Sequence, residues 1–205
     1  MKPARILHVV YSMGHGGMES RIMDLYRRLD KERFQYDFYI ESGEEEFFDE
    51  EIRSLGGLVY YNKRSNGLNI PNFNAFNKFL REHQGFSAVY AYNQWAGWYL
   101  KTAKMYRIGV RIASACTSLQ TVTLGNCIMN IVKLNVNRYS THRFAVSKNA
   151  ARWLFGKKRL LHGDVCVWPN SIDTKKYLFS VETREKVRQE LLSNDSYTVM
   201  HIGNI

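Results

Sequence analysis

Apolar positions along this chain switch repeatedly between two periods. Residues 6–11 (Ile-Leu-His-Val-Val-Tyr) form a short, nearly unbroken apolar run, which predicts a buried strand. The next stretch, 17–29, spaces Met18, Ile22, Leu25 and Leu29 at i, i+4, i+7 and i+11, which predicts a helix with one apolar face. The alternation continues, with strands predicted at 34–40, 58–61, 88–92, 110–115, 144–146 and 164–168, and helices at 44–55, 71–83, 95–106, 127–139 and 149–155. Strand and helix alternating over about 165 residues imply an α/β fold, a Rossmann-like doubly wound parallel sheet wrapped by helices on both faces.

The end of the chain follows a different plan. Residues 183–192 read as a capped, charged helix, 193–196 as a turn, and 197–203 as the beginning of a further strand. Either that strand joins the sheet already built or it opens a second unit.

Composition narrows the class. With 45% hydrophobic and 14% aromatic residues, the 205-residue chain can bury a substantial core. No apolar run reaches the roughly 18 residues that a membrane span needs, and the start of the chain lacks a signal-peptide pattern. The three cysteines, Cys116, Cys127 and Cys166, show no C-x-x-C spacing, so neither a disulfide framework nor a zinc site is signalled. A soluble, cytoplasmic protein in a reducing compartment is the expectation, with no metal.

Charge is unevenly spread. Residues 1–60 hold 8 Lys and Arg against 12 Asp and Glu, whereas residues 61–205 hold 21 against 7. Between Glu82 and Asp164 there is no acidic residue and there are twelve basic ones. Such a one-signed field attracts anionic partners: phosphorylated substrates, an anionic membrane surface or nucleic acid. The basic stretch carries no recognised nucleic-acid motif, which disfavours the last. The alternative is a merely solvated basic face.

The candidate chemistry sits at the junction of the first strand and helix, Ser12-Met-Gly-His-Gly-Gly-Met-Glu-Ser20. Glycines at a helix start let a phosphate approach the unpaired first-turn N–H groups and the positive end of the helix dipole. The dinucleotide fingerprint G-x-G-x-x-G is not met, since Glu19 stands at its third glycine, although Glu41 could serve as a ribose-binding acid after the second strand. Tight strand-to-helix packing without any ligand is a further reading of the glycines, and Glu19 also suits an ordinary dipole-stabilising carboxylate of the first turn.

Ile6-Leu-His-Val followed by Gly16-Gly-Met-Glu19 resembles the G-G-x-E opening of the family 4 glycosyltransferases, which have the two-domain GT-B fold and include capsular and exopolysaccharide transferases. Ser147-Lys-Asn-Ala150 is similar to a motif after one of that family's late strands. Trp168-Pro-Asn-Ser-Ile-Asp173 is similar to its P-N-G-I-D-x-x-x-F pattern, with Ser171 for the glycine and Tyr177 for the phenylalanine. His201-Ile-Gly203 resembles the strand that opens the family's C-terminal domain. The resemblance implies residues 1–178 as the N-terminal, acceptor-side half of a GT-B fold, with 179–205 as a hinge helix and the first strand of a C-terminal donor-binding domain not contained in these residues.

It also implies chemistry. A nucleotide diphosphate sugar is the co-substrate, no cofactor is needed, and the sugar passes with retention to a polysaccharide or lipid-linked acceptor. Gly16 and Gly17 would face the donor diphosphate, and Glu19, Asn93, Gln94, Ser147 and Asn170 are the further binding candidates. Cys116 occupies the place of the family's histidine; a thiol is a weaker hydrogen-bonding group than imidazole. Trp95 could stack on a sugar ring. The family's diphosphate-holding basic residues and its paired glutamates have no counterpart in these residues, so the chain could instead be a non-catalytic acceptor-, membrane- or partner-binding half whose complement is a separate chain. Interleaved basic and apolar residues over 125–159 point to peripheral contact with anionic lipid.

Overall fold

The computed structural model describes residues 2–63, 72–117, 125–191 and 197–199, without the side chains of 125–131 and Lys176. Seven parallel strands run β1 (Ala4–Val10), β2 (Phe34–Ile40), β3 (Val59–Tyr61), β4 (Phe86–Tyr92), β5 (Val110–Ala115), β6 (His142–Ala145) and β7 (Cys166–Val167). Their order in the sheet is β3-β2-β1-β4-β5-β6-β7. The helices are α1 (Gly17–Arg28), α2 (Asp49–Ser54), α3 (Phe73–Glu82), α4 (Ala96–Met105), α5 (Gly125–Tyr139), α6 (Lys148–Phe155), α7 (Lys157–Leu161) and α8 (Val181–Glu190).

Because crossovers between parallel strands are right-handed, walking outward from β1 to β3 puts helices on one face and walking from β4 to β7 puts them on the other. The two cores follow. Leu7 and Val9 of β1 bury with Val89 and Ala91 of β4 beneath Phe76, Tyr99, Leu100 and Leu154, while Val10, Phe38 and Ile40 bury beneath Ile22, Met23, Tyr26 and Ile52. The alternation of Leu7 and Val9 against His8 and Val10 is the period-2 signature of a strand covered on both sides. Arg5 and the fully buried Asp37 tie β1 to β2 as an ion pair, and Asp37 also accepts from Leu58 N–H at 2.8 Å. Strand order reverses between β1 and β4. In a doubly wound sheet that reversal opens a crevice at the carboxyl ends of the strands, the place where ligands bind.

Several expectations need correction. Leu25 is exposed, and the buried face of α1 is Ile22, Met23 and Tyr26, because the helix rotates to bring the larger tyrosine against the sheet. The helix expected over 44–55 is confined to Asp49–Ser54; the preceding acidic residues form a loop anchored by Phe48 N–H donating to Met13 C=O at 3.0 Å. The strand expected over 164–168 pairs only at Cys166–Val167, and the short α7 was not anticipated. Ser171 does not adopt positive φ, so the turn does not require the glycine of the pattern. Residues 197–199 lie in no strand, and 200–205 fall outside the described residues.

Contacts within the chain divide it into 1–170 and 171–205. The second unit holds a 3-10 helix (Thr174–Tyr177) and α8, whose Ser180 hydroxyl accepts from Thr183 N–H at 3.1 Å. Its Leu178, Phe179 and Val181 are exposed.

Candidate functional site

Three segments converge at the β1/β4 reversal: the glycine-rich turn after β1, the Tyr92–Trp95 turn after β4, and Cys116 after β5. Gly16 is the N-cap of α1, extended at φ −78° and ψ 161°, and its carbonyl accepts from Ser20 N–H at 3.0 Å. No side chain at the cap position satisfies the helix start. The Glu19 carboxylate does so instead, folding back to accept from the N–H groups of Glu19 and Met18; burial nevertheless holds its pKa above the ordinary carboxylate value. A Cβ built on Gly16 would collide with that carboxylate. A side chain at Gly16 would make the Glu19 carboxylate move aside.

Gly17 is a different case. A Cβ there would meet no atom within 4 Å, and its φ is not positive. Neither packing nor backbone geometry demands glycine at this position.

Asn93 adopts the left-handed conformation, φ 57°, one of the few non-glycine residues suited to it. Its Oδ1 accepts from Cys116 N–H at 2.9 Å and its own N–H donates to Ser114 C=O at 2.8 Å, pinning the end of β4 to the end of β5. Beside it opens a cavity of about 400 Å³ lined by Tyr11, Glu41, Asn93, Gln94, Trp95 and Tyr99, among others. Glu41 is buried and accepts from the Tyr99 hydroxyl. With an indole, a carboxylate, two carboxamides and phenols around a concave space, this pocket suits a polyhydroxylated ring of modest size.

On the α1 side lies a second, narrow cavity of about 20 Å³ between His8, Arg21, Tyr90, Tyr92 and Cys116. Met18 and Tyr92 border both spaces. Burial pushes the Cys116 thiol above its ordinary pKa, and its Sγ lies 3.8 Å from the Ser114 hydroxyl oxygen, so it stands as a protonated thiol and not as a thiolate nucleophile. His8 is a core residue: full burial lowers its pKa to about 3, and Nδ1 is 2.8 Å from the Tyr92 hydroxyl.

The structure thus gathers Gly16, Gly17, Glu19, Asn93, Gln94 and Cys116 around one crevice. Ser147 lies elsewhere, after β6, with its hydroxyl capping α6 by accepting from Ala150 N–H at 3.1 Å. Asn170 follows β7, with Oδ1 accepting from Arg21 at 3.1 Å. Sequence reasoning overlooked Tyr99 and Arg21. The first could be found as the residue one turn beyond Trp95 on α4; nothing in the local pattern marks the second. Among the described residues no cluster of three or more His, Cys, Asp or Glu could hold a metal ion.

An open crevice at the switch point, with a helix start on one side and a polar, aromatic pocket on the other, defines a ligand-binding doubly wound α/β domain. The family model for Glycosyltransferase Family 4 matches residues 15–176, and the chain belongs to that family. It is 33% identical over 182 residues to the protein named "Putative glycosyltransferase EpsF" of Bacillus subtilis (strain 168), covering 84% of this chain and 46% of that one. The fold is that of HepE from Anabaena, solved with UDP and glucose, at a TM-score of 0.69, 17% identity and 93% coverage of this chain against 51% of HepE. A glycosyltransferase from Rickettsia africae ESF-5 superposes at a TM-score of 0.61, 15% identity and 94% coverage against 50% of its own length. The chain spans about half the length of the relatives it matches, consistent with the N-terminal half of a GT-B fold.

Proposed function

We propose that this chain is the acceptor-side half of a retaining glycosyltransferase that moves a sugar from a nucleotide diphosphate donor to a glycan or lipid-linked acceptor. On this reading the cavity beside Trp95 takes the acceptor ring, and residues from 179 onward lead into the donor-binding half. HepE was solved with UDP and with UDP-glucose, which makes a uridine donor the first to try. Stabilisation of the departing diphosphate falls to the amides at the start of α1, which meet the developing charge with a fixed dipole.

The observation that carries the proposal is Gly17, a glycine at a helix start in the switch-point crevice for which the fold itself has no need. A ligand approaching the backbone supplies the need. The test is Gly17→Ala in the full-length protein, assayed for transfer from UDP-glucose and other nucleotide sugars. The methyl group leaves the unfolding midpoint unchanged or slightly raised, because alanine favours helix, while transfer falls by about tenfold or more. Wild-type transfer rates in the variant would remove the basis of the reading.

The lipid-linked alternative for the acceptor draws support from α6 and α7, where Lys148, Arg152, Lys157, Lys158 and Arg159 accompany the exposed Leu161, with the exposed Leu134 on α5. The neighbouring Val132, Leu154 and Phe155 belong to the core and offer nothing to a membrane. Running the same assay with anionic and with neutral vesicles decides this: stimulation by anionic vesicles alone is expected, and equal or no response excludes the contact. A non-catalytic half completed by a separate chain would bind acceptor glycan and transfer nothing by itself.

A further inference from the structure

Arg21 lies one turn into α1 and reaches across to the chain leaving β7. Its Nη1 donates to Asn170 Oδ1 at 3.1 Å, its Nη2 lies 3.4 Å from the Trp168 carbonyl oxygen, and its guanidinium carbon sits 5.4 Å from the centroid of the Trp168 ring. All three partners are neutral, and among the described residues no carboxylate forms an ion pair with it. The same side chain borders the narrow cavity that holds Cys116, Tyr90 and Tyr92, where its charge favours the ionised form of each.

A surface arginine on a helix is ordinarily free, and fixing it costs side-chain entropy. Two carbonyl acceptors and a cation–π contact offset that only because the guanidinium is planar and can present its edge to Asn170 and Trp168 and its face to the indole together; lysine can do one or the other. The outcome is an ordered cation whose charge is not neutralised by a partner, placed beside the crevice.

We infer that Arg21 is a positioning residue for sugar transfer: it straps residues 168–170 to the helix bearing the Gly16–Gly17 turn and holds a positive charge beside Cys116. The inference rests on the transferase reading above. Its effect belongs to the transition state, when negative charge grows on the departing diphosphate, more than to ground-state binding of the donor. It therefore acts on kcat with little change in KM.

The test uses Arg21→Lys and Arg21→Gln in the full-length protein, with kcat and KM for the nucleotide sugar, thermal midpoints, and amide hydrogen exchange over 166–170. Both variants keep the wild-type midpoint within about 2 °C, since only exposed bonds are lost. Both raise exchange over 166–170. Arg21→Lys keeps the charge and loses about threefold in kcat, Arg21→Gln loses about thirtyfold, and KM stays within about twofold in each. Wild-type kcat in Arg21→Gln overturns the charge role, and unchanged exchange in both variants overturns the strap. Should the wild-type protein transfer no sugar at all, the transferase reading fails and with it the catalytic role of Arg21.

Discussion

Gly97→Ala sets two well-understood effects against each other. Within a helix the substitution is ordinarily favourable by about 1 kcal/mol, because glycine loses more backbone freedom on folding than alanine. Gly97, however, is buried in α4 at its crossing with α5, where an added Cβ would lie 2.5 Å from Val136 N, 2.6 Å from the carbonyl carbon of Asn135 and 2.8 Å from Asn135 Cβ. Two of these are backbone atoms, so no rotamer change relieves the clash. Restoring ordinary contact requires the helices to part by about 1 Å, which loosens the seam between them and forfeits dispersion contacts along its length. Overpacking of this kind costs about 1–3 kcal/mol, more where backbone must move, and exceeds the propensity gain. A net loss of about 1–2 kcal/mol is expected, visible as a lower urea midpoint at unchanged m-value and a thermal midpoint lower by about 2–8 °C. Because α4 begins directly after Trp95, the shift also deforms the wall of the larger cavity. A midpoint equal to or above wild type would refute the reasoning: it would mean that α4 and α5 separate freely and that the glycine does not seat the helix.

Two further outcomes concern buried groups. His8 has a pKa lowered to about 3 by burial, below its ordinary 6.5, so the unfolded chain binds a proton that the folded one refuses; stability contributed by neutral His8 is present above pH 6.5 and declines as pH falls below it. Urea midpoints between pH 7 and 5 should fall with a steeper slope in wild type than in His8→Gln, and equal slopes would contradict the assignment. Cys116, its thiol raised by burial, should alkylate with iodoacetamide at pH 7.5 much more slowly than the exposed Cys166. Peptide mapping by mass spectrometry reads the two rates, and comparable labelling would show that Cys116 is open to solvent.

The sheet was largely legible because a central parallel strand announces itself as an apolar run and its connecting helices as 3.6-period stripes. Strand order was not, since β1 pairs with both β2 and β4 and no local pattern states which strand lies on which side. Errors gathered where tertiary contact overrides period. Tyr26 displaced Leu25 from the buried face of α1, and the Glu44–Glu46 stretch gave up its helical pattern to a loop fixed by the Met13–Phe48 bond. Within the crevice, the Gly16–Glu19 motif and the Asn93-Gln94 turn were visible as residue types suited to strand ends. Tyr99 was within reach as the residue one turn beyond Trp95, whereas Arg21 and the cap role of Ser147 were invisible because each depends on a partner far along the chain or on which way a hydroxyl turns.

The two glycines of the opening motif illustrate the limit most clearly, since identical neighbours in sequence answer to different physics. Gly16 has an account from inside the protein: a Cβ there would press on the Glu19 carboxylate that folds back onto the first-turn amides, which would have to shift. With the N–H groups of Met18 and Glu19 already supplied with an acceptor, an external anion finds its approach at the position just before them. There Gly17 leaves open space, and the absent side chain serves no packing contact of the folded chain. An internal carboxylate that satisfies the inner amides and a bare glycine that exposes the outer end of the helix amount to a division of labour. The first stabilises the turn when it is empty. The second keeps a path to the backbone clear for a phosphate, and so connects a local feature of nine residues to the transfer chemistry proposed for the whole enzyme.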